Sequence, residues 1–145
     1  MLKTHNKMER TLSARDIQSY IKLIVWTLVI AYLCFSSGTN IDGLKINLIP
    51  LWLKPYMDKI VHFIMFFVLA FIIKSLYWQK TIDMKPYYVL LTAGATYAAR
   101  TEIVQYYLIP TRSGDVRDFA CDLIGMTLSV FVFPYWPKFV KRIFG

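Results

Sequence analysis

Four apolar blocks of about twenty residues each dominate the sequence and leave few folds open to it. They run from about Tyr20 to Ser37, Met57 to Trp78, Tyr87 to Ile109 and Asp115 to Trp136. A helix needs roughly 20 residues to cross the hydrocarbon core of a bilayer, and it satisfies its own backbone there. At 57% hydrophobic, the chain is too apolar for an ordinary soluble domain. The blocks predict an all-α polytopic membrane protein with four transmembrane helices in one bundle.

The chain divides into a short lead and a single domain. Residues 1–19 are polar and mixed in charge, and we expect them to form a cytoplasmic N-terminal lead. Residues 20–145 make up the predicted four-helix transmembrane domain. A basic lead before an apolar run could also be a signal peptide. No A-x-A-like cleavage site follows the first block, so an uncleaved membrane anchor is favoured.

Lysine and arginine residues are distributed unevenly between the two sides of the predicted bundle. The N-terminus, the second loop and the C-terminus, with the helix ends beside them, carry eleven of the 17, the other side carries five, and Arg100 lies within a block. Because cytoplasmic segments are enriched in these residues, both termini are predicted to be cytoplasmic. The net charge of +8 then meets anionic lipid headgroups. The expected partner is the lipid bilayer; no nucleic-acid-binding motif is present, and the oligomeric state is left open.

Polar residues interrupt the apolar blocks at one depth, near the predicted outer interface. They begin the second block, close the third and open the fourth: Asp58, Lys59 and His62; Glu102 and Gln105; Arg112, Asp115, Arg117, Asp118 and Asp122. At about 1.5 Å per residue, Glu102 and Asp122 each lie roughly 10 Å inside their helix ends. Ionisable groups within a membrane segment usually face the bundle interior or a wet cavity. This set is therefore the predicted functional site.

The same residues carry a resemblance to a known family. The sequence resembles the VanZ-like family of small bacterial integral membrane proteins through Asp58-Lys59-x-x-His62, Glu102-x-x-Gln105, Arg112, Asp118, a polar position at 122, and Gly125. The resemblance implies a multi-pass protein of the bacterial cytoplasmic (inner) membrane, acting in the cell envelope. The namesake of the family is associated with low-level resistance to the glycopeptide teicoplanin. Position 122 is usually Asn in the family; Asp122 adds a charge here, which Arg100 is expected to balance.

The first functional hypothesis is a site that binds or acts on an anionic lipid or cell-wall precursor at the outer interface. Its candidate acid–base groups are His62, Glu102 and Asp118. Ligand contacts are predicted for Asp58, Lys59, Gln105, Arg112 and Asp122, and Lys59, Arg112 and Arg117 are expected to hold phosphate oxygens. Asp58 lies one helical turn before His62 and is expected to orient the imidazole.

The second hypothesis is not catalytic: the polar groups form a buried ion-pair network that locks the helices and presents a surface to a partner. Asp118 would pair with Arg112 or Lys59, and Asp122 with Arg100. Spacing alone does not separate the two hypotheses, so the sequence leaves enzymatic activity open. The carboxylates and His62 are also suitable ligands for a divalent ion. Their spacing matches no metal motif, however, and we assign no metal and no cofactor.

Overall fold

The structure, a computed structural model, describes residues 14–35, 53, 56–78, 85–108 and 115–144, and almost all of them are helical. The helices are α1 (Ala14–Phe35), α2 (Met57–Trp78), α3 (Lys85–Leu108), α4 (Val116–Val132) and α5 (Lys138–Phe144). A 3-10 turn at Phe133–Tyr135 lies between α4 and α5. No strand occurs in these ranges, so the all-α prediction is confirmed.

Two of the helices are long and apolar enough to cross a membrane. The qualifying stretches are Ile17–Phe35 in α1 and Met57–Leu76 in α2. The other two long helices differ from them: α4 has only 17 residues, and α3 carries Arg100 and Glu102. The structure therefore supports two candidate spans within the ranges it describes, and the predicted bundle of four spans is not confirmed.

Helix boundaries follow the apolar blocks best in the middle of the chain. α2 begins and ends where the sequence predicts. α1 begins at Ala14, ahead of its apolar block, because no Gly or Pro interrupts the end of the polar lead. α4 ends at Val132, and the 3-10 turn and α5 follow. Pro134 and Pro137 account for this break, since proline supplies no backbone N–H to a helix.

The closest helix pair is α2 with α4, which makes the most extensive contact in the fold. Gly125 of α4 permits this approach, because a Cβ at that position would meet the backbone carbonyl of Phe63 on α2. Small residues at helix interfaces generally allow such close backbone contact in membranes. Phe66 and Met126 lie in the buried core that this pair shares with α1 and α3.

Side chains tie α1 to its neighbours through backbone carbonyls. Trp26 donates its indole N–H to the carbonyl of Met65 on α2 at 3.0 Å. Tyr97 of α3 donates its hydroxyl to the carbonyl of Thr27 at 2.9 Å. Because a carbonyl oxygen has two lone pairs, each can accept such a bond in addition to its helical one. These bonds fix the rotation and height of α1 against the other helices.

Polarity is inverted relative to a soluble protein. Large apolar side chains are exposed along α1 and at the end of α3, as with Leu28 at 63% and Tyr107 at 75%. Charged groups such as Asp122 and His62 are instead buried, at 0% and 1% exposure. Wide apolar surfaces mark membrane or partner contacts, and interior ionisable groups are typical of membrane bundles. The distribution is compatible with a membrane protein.

Candidate functional site

Seven ionisable residues from three helices converge at one end of the bundle, and we call them the polar cluster: Asp58, Lys59 and His62 of α2, Glu102 of α3, and Asp115, Asp118 and Asp122 at the head of α4. In α2, His62 follows Asp58 by four residues and Lys59 by three, and Asp115, Asp118 and Asp122 are spaced by three and four, which brings each set to one side of its helix. The close contact of α2 with α4 turns those two faces toward each other. The structure thus joins residues that lie far apart in the sequence.

Lys59 links α2 to the head of α4. Its ammonium group lies 3.1 Å from a carboxylate oxygen of Asp115 and 3.1 Å from one of Asp118. The Asp118 side chain is almost fully buried, whereas Lys59 and Asp115 remain partly exposed. The pair of Asp118 with Lys59 is one that the sequence predicted. It places the single lysine of the cluster between two carboxylates.

His62, Asp122 and Glu102 form the buried interior of the cluster. His62 Nδ1 lies 3.1 Å from Asp122 Oδ1, within hydrogen-bond distance, and 3.7 Å from Glu102 Oε1. The imidazole and Asp122 are buried to 1% and 0% exposure. Water therefore does not screen the interaction between these groups as it would at the surface. We call these three residues the buried triad.

Glu102 also connects the buried triad to the start of α4. Its Oε2 accepts a hydrogen bond from the backbone N–H of Asp115 at 2.9 Å. Asp115 in turn caps α4, because its Oδ1 accepts the backbone N–H of Arg117 at 2.9 Å. That N–H, together with the Lys59 ammonium, lowers the pKa of the Asp115 carboxyl group, which stands ahead of the helix. Asp115 thus joins Lys59, Glu102 and the α4 backbone.

Gln105 lies on α3 one turn beyond Glu102, but its described hydrogen bond is to α1. Its amide nitrogen donates to the backbone carbonyl of Cys34 on α1 at 2.9 Å, and the side chain is buried. The described contacts therefore give Gln105 a packing role between α1 and α3. Arg112, the other predicted ligand contact between α3 and α4, falls outside the described residues.

One pairing expected from the sequence is wrong. Asp122 pairs with His62 and not with Arg100, which is exposed on α3. Residues two apart on a helix point to nearly opposite sides, so burial of Glu102 turns Arg100 outward. The carboxylate within hydrogen-bond distance of His62 Nδ1 is that of Asp122, from a different helix. Asp58 does place an oxygen within 4.8 Å of ligand atoms on His62 and Asp118.

Several buried polar atoms of the cluster have no hydrogen-bond partner among the described residues. They are Nε2 of His62, Oε1 of Glu102 and Oδ2 of Asp122, one from each member of the buried triad. Buried polar atoms in native proteins are nearly always paired, so three together require a physical explanation. The cluster also carries five carboxyl groups against Lys59 and His62.

A cleft of about 360 Å³ opens between α3 and α4 and reaches the cluster. Glu102 and Asp115 are its charged lining residues, and the rest of the wall is formed by Ala99, Ile103, Tyr106, Tyr107, Val116 and Phe119. Tyr107 and Val116 are exposed, so the cleft opens on the outer surface of the bundle. Of the predicted acid–base groups and ligand contacts, Glu102 lines this cleft, whose wall is mostly apolar.

The sequence prediction missed the part played by Asp115. We expected it on the same helix face as Asp118 but assigned it no contact, although it bridges Lys59 and Glu102. Its position three residues before Asp118 was the available signal. The sequence also did not predict that Tyr106 and Tyr107 line the cleft, because consecutive tyrosines at a helix end are typical of an anchor at the membrane–water interface.

Comparison with known proteins adds one result to this geometry. The profile of a family described as VanZ/LLP1 matches residues 11–139, which is most of the chain and contains the whole polar cluster. No curated protein and no solved structure matches the chain. The match agrees with the resemblance seen in Asp58, Lys59, His62 and Glu102. The chain belongs to the VanZ/LLP1 family.

Proposed function

We propose that this protein binds an anionic lipid or lipid-linked cell-wall precursor at the outer interface of the bacterial cytoplasmic membrane. In this proposal α1 to α4 all cross the bilayer and both termini are cytoplasmic. Family membership, the exposed apolar faces and the uneven distribution of lysine and arginine support that arrangement. The short α4 spans with the help of its neighbours, since its polar residues contact α2 and α3.

The observation that carries the proposal is the cleft between α3 and α4. An apolar wall open to the outer surface suits a lipid chain, and a charged end suits a headgroup. Lys59, which pairs with the cleft residue Asp115, is partly exposed, and Arg117 is exposed on the first turn of α4. The headgroup would contact these cations at the rim and not the buried carboxylates. The bound lipid thus lies across the boundary between the bilayer and the polar cluster.

Chemistry on the bound ligand, if it occurs, would fall to His62, Glu102 and Asp118 as acid–base groups. Because Nδ1 of His62 faces Asp122, Nε2 is the nitrogen left to exchange a proton. An alternative function also has support: Lys59, Asp115 and Asp118 satisfy one another. That network could act only as a scaffold that holds α2 against α4. The lipid-binding function requires an open cleft between α3 and α4, whereas the scaffold function does not.

The test fills the cleft without touching the ion pairs. Ala99→Phe adds a ring to the cleft wall, and the control Ala120→Phe adds one at an exposed position of α4 outside it. Native mass spectrometry of the purified protein then measures binding of phosphatidylglycerol, with phosphatidylcholine as the reference for headgroup charge. We expect Ala99→Phe to weaken phosphatidylglycerol binding about tenfold, equivalent to about 1.4 kcal/mol, and the control to have no effect.

The headgroup is tested with a second matched pair. Arg117→Gln should reduce the preference for phosphatidylglycerol, whereas Arg100→Gln, at an exposed arginine outside the cluster, should preserve it. Expression of the same variants in a teicoplanin-susceptible host measures the resistance that the resemblance implies. Unchanged lipid binding by Ala99→Phe, at normal folded yield, would refute the lipid proposal and favour the scaffold.

A further inference from the structure

We propose that the buried triad of His62, Glu102 and Asp122 binds a divalent transition-metal ion such as Zn²⁺ or Mn²⁺. This inference goes beyond the proposed lipid function, since an ion can be bound whether or not a lipid occupies the cleft. It uses residues of three different helices, which explains why no linear metal motif appears in the sequence.

The spacing of the triad suits a metal. One ligand atom from each residue can be chosen so that all three lie within 4.8 Å of one another. Nδ1 of His62 lies 3.1 Å from Asp122 Oδ1 and 3.7 Å from Glu102 Oε1. Ligands about 2.0–2.2 Å from a tetrahedral zinc ion stand roughly 3.3–3.6 Å apart. The two separations bracket that value, so small movements would bring all three atoms into coordination.

The unpaired atoms of the triad provide an independent reason. Glu102 Oε1 faces the imidazole but makes no hydrogen bond, and Asp122 Oδ2 has no partner in the described part of the chain. Asp122 is completely buried, so solvent does not satisfy it. A metal would take Oε1 directly, and a bidentate Asp122 would also use Oδ2. Coordination through Nδ1 places the imidazole proton on Nε2.

Charge balance favours the same occupant. The triad holds two buried carboxyl groups, and the nearest described ammonium, that of Lys59, is bonded to Asp115 and Asp118. One protonated imidazole leaves a net negative charge when both carboxyl groups are ionised. A divalent ion with a neutral imidazole brings the triad to zero. Burial of uncompensated charge is strongly unfavourable, so a buried ion would stabilise this arrangement.

A second set of possible ligands shares His62 but fits less well. Asp58, His62 and Asp118 also place ligand atoms within 4.8 Å of one another. Asp118, however, already accepts a hydrogen bond from Lys59, and Asp58 is only half-buried. A metal there would displace an existing ion pair. The inference therefore assigns the ion to Asp122 and Glu102, and it predicts that Asp118 is dispensable for metal binding.

The experiment measures metal directly in the protein without added lipid. The purified chain is stripped with a chelator, loaded with Zn²⁺ alone, passed through a desalting column and analysed by elemental mass spectrometry. We expect close to one ion per chain. His62→Gln, Glu102→Gln and Asp122→Asn should each weaken Zn²⁺ binding at least about 100-fold, since loss of outer-shell partners alone costs 10–100-fold. Asp118→Asn and Thr101→Val, a buried control that preserves the triad, should bind normally.

A second measurement keeps the inference testable where a variant fails to fold. Zn²⁺ should raise the thermal unfolding temperature of the unaltered protein in a concentration-dependent way, because an ion that binds only the folded state stabilises it. The Co²⁺-loaded protein should show visible absorption bands of low-coordinate cobalt. No retained Zn²⁺ and no thermal shift would overturn the proposal, as would normal binding by folded Asp122→Asn. Loss with Asp118→Asn alone would overturn the choice of ligands.

Discussion

Two buried charged regions lie on the same pair of helices, yet they are built in opposite ways. The polar cluster groups five carboxyl groups with Lys59 and His62, and three of its buried atoms have no hydrogen-bond partner among the described residues. About three turns further along α2, Lys74 is buried with neutral groups as its described partners. Its ammonium donates to the carbonyl of Val130 at 2.9 Å and lies 4.2 Å from the centroid of the Tyr87 ring.

The difference distinguishes a charge with a structural environment from a cluster that is a candidate functional site. Neutral partners satisfy Lys74: a carbonyl dipole and the faces of aromatic rings, which attract cations. The cluster instead pairs charge with charge, and some of its buried polar atoms have no partner in the described ranges. Several incompletely paired carboxyl groups are therefore stronger grounds for proposing a site than a buried lysine whose described partners are neutral. The substitutions below test the helix contact that both regions share and then the two lysines themselves, from the largest expected effect to the smallest.

Gly125→Ala should have the largest effect, because it disturbs the helix contact that both regions share. The new methyl group would meet the Phe63 backbone carbonyl, which cannot move without moving α2. We expect the free energy of unfolding to fall by about 3 kcal/mol, the upper part of the range for overpacking. Unfolding in mixed detergent and dodecyl sulfate measures the change.

Gly94→Ala is the control for that substitution. Its added methyl group would meet the thioether of Met126, the flexible end of a side chain that can turn away. The loss should be clearly smaller. Equal losses at the two glycines would mean that close approach of the α2 and α4 backbones does not hold the bundle together.

Lys59→Met and Lys74→Met compare the two regions directly. Removal of Lys59 leaves the buried carboxyl group of Asp118 without its partner, which should destabilise the protein by about 2 kcal/mol. Among the described residues, removal of Lys74 leaves a carbonyl and aromatic ring faces behind, and an apolar side chain of similar shape replaces it. That change should stay within about 1 kcal/mol of zero in either direction.

The same two variants should differ in function. Lys59→Met should weaken phosphatidylglycerol binding, whereas Lys74→Met should leave both lipid and Zn²⁺ binding intact. Thermal unfolding and native mass spectrometry on the same preparations give both readouts. A greater loss of stability with Lys74→Met than with Lys59→Met would reverse the comparison and make the lysine at the far end of α2 the critical charge.

Gln105→Leu should have the smallest effect. It removes the hydrogen bond to the Cys34 carbonyl, and bonds of this kind between membrane helices average about 0.6 kcal/mol. Lipid and Zn²⁺ binding should not change, because the described contacts of Gln105 are with α1. A marked loss of lipid binding at unchanged stability would restore Gln105 to the ligand site that the sequence predicted.

Local patterns in the sequence predicted much of the fold. The second apolar block predicted both boundaries of α2 correctly, because an uninterrupted apolar run between Pro55 and a polar loop leaves little choice of where the helix begins and ends. Spacing by three and four residues correctly placed Asp118 and Asp122 on one face of α4. Those features depend on residues close together in the chain, and physical rules for single helices suffice for them.

The remaining features depend on how helices rotate against each other, which spacing within one helix does not encode. Charge alone predicts Arg100 as the partner of Asp122, yet the rotation of α3 buries Glu102 and leaves Arg100 exposed. Lys74 was counted among the cytoplasmic charges, although α4 and the Tyr87 ring enclose it. The cleft is likewise a product of two helices and has no signature in either one.

The pairing of α2 with α4 also has a consequence for biosynthesis. The carboxylates that pair with Lys59 and His62 follow them by 56 to 60 residues, with α3 between. During translation, the face of α2 that carries Lys59 and His62 is therefore synthesised well before the aspartates at the head of α4. On the four-span topology, α2 must enter the membrane on its apolar content alone, and it is among the helices apolar enough to do so. The shorter helix α4 is synthesised after α2, and its aspartates then pair with Lys59 and His62 of a helix that is already in place.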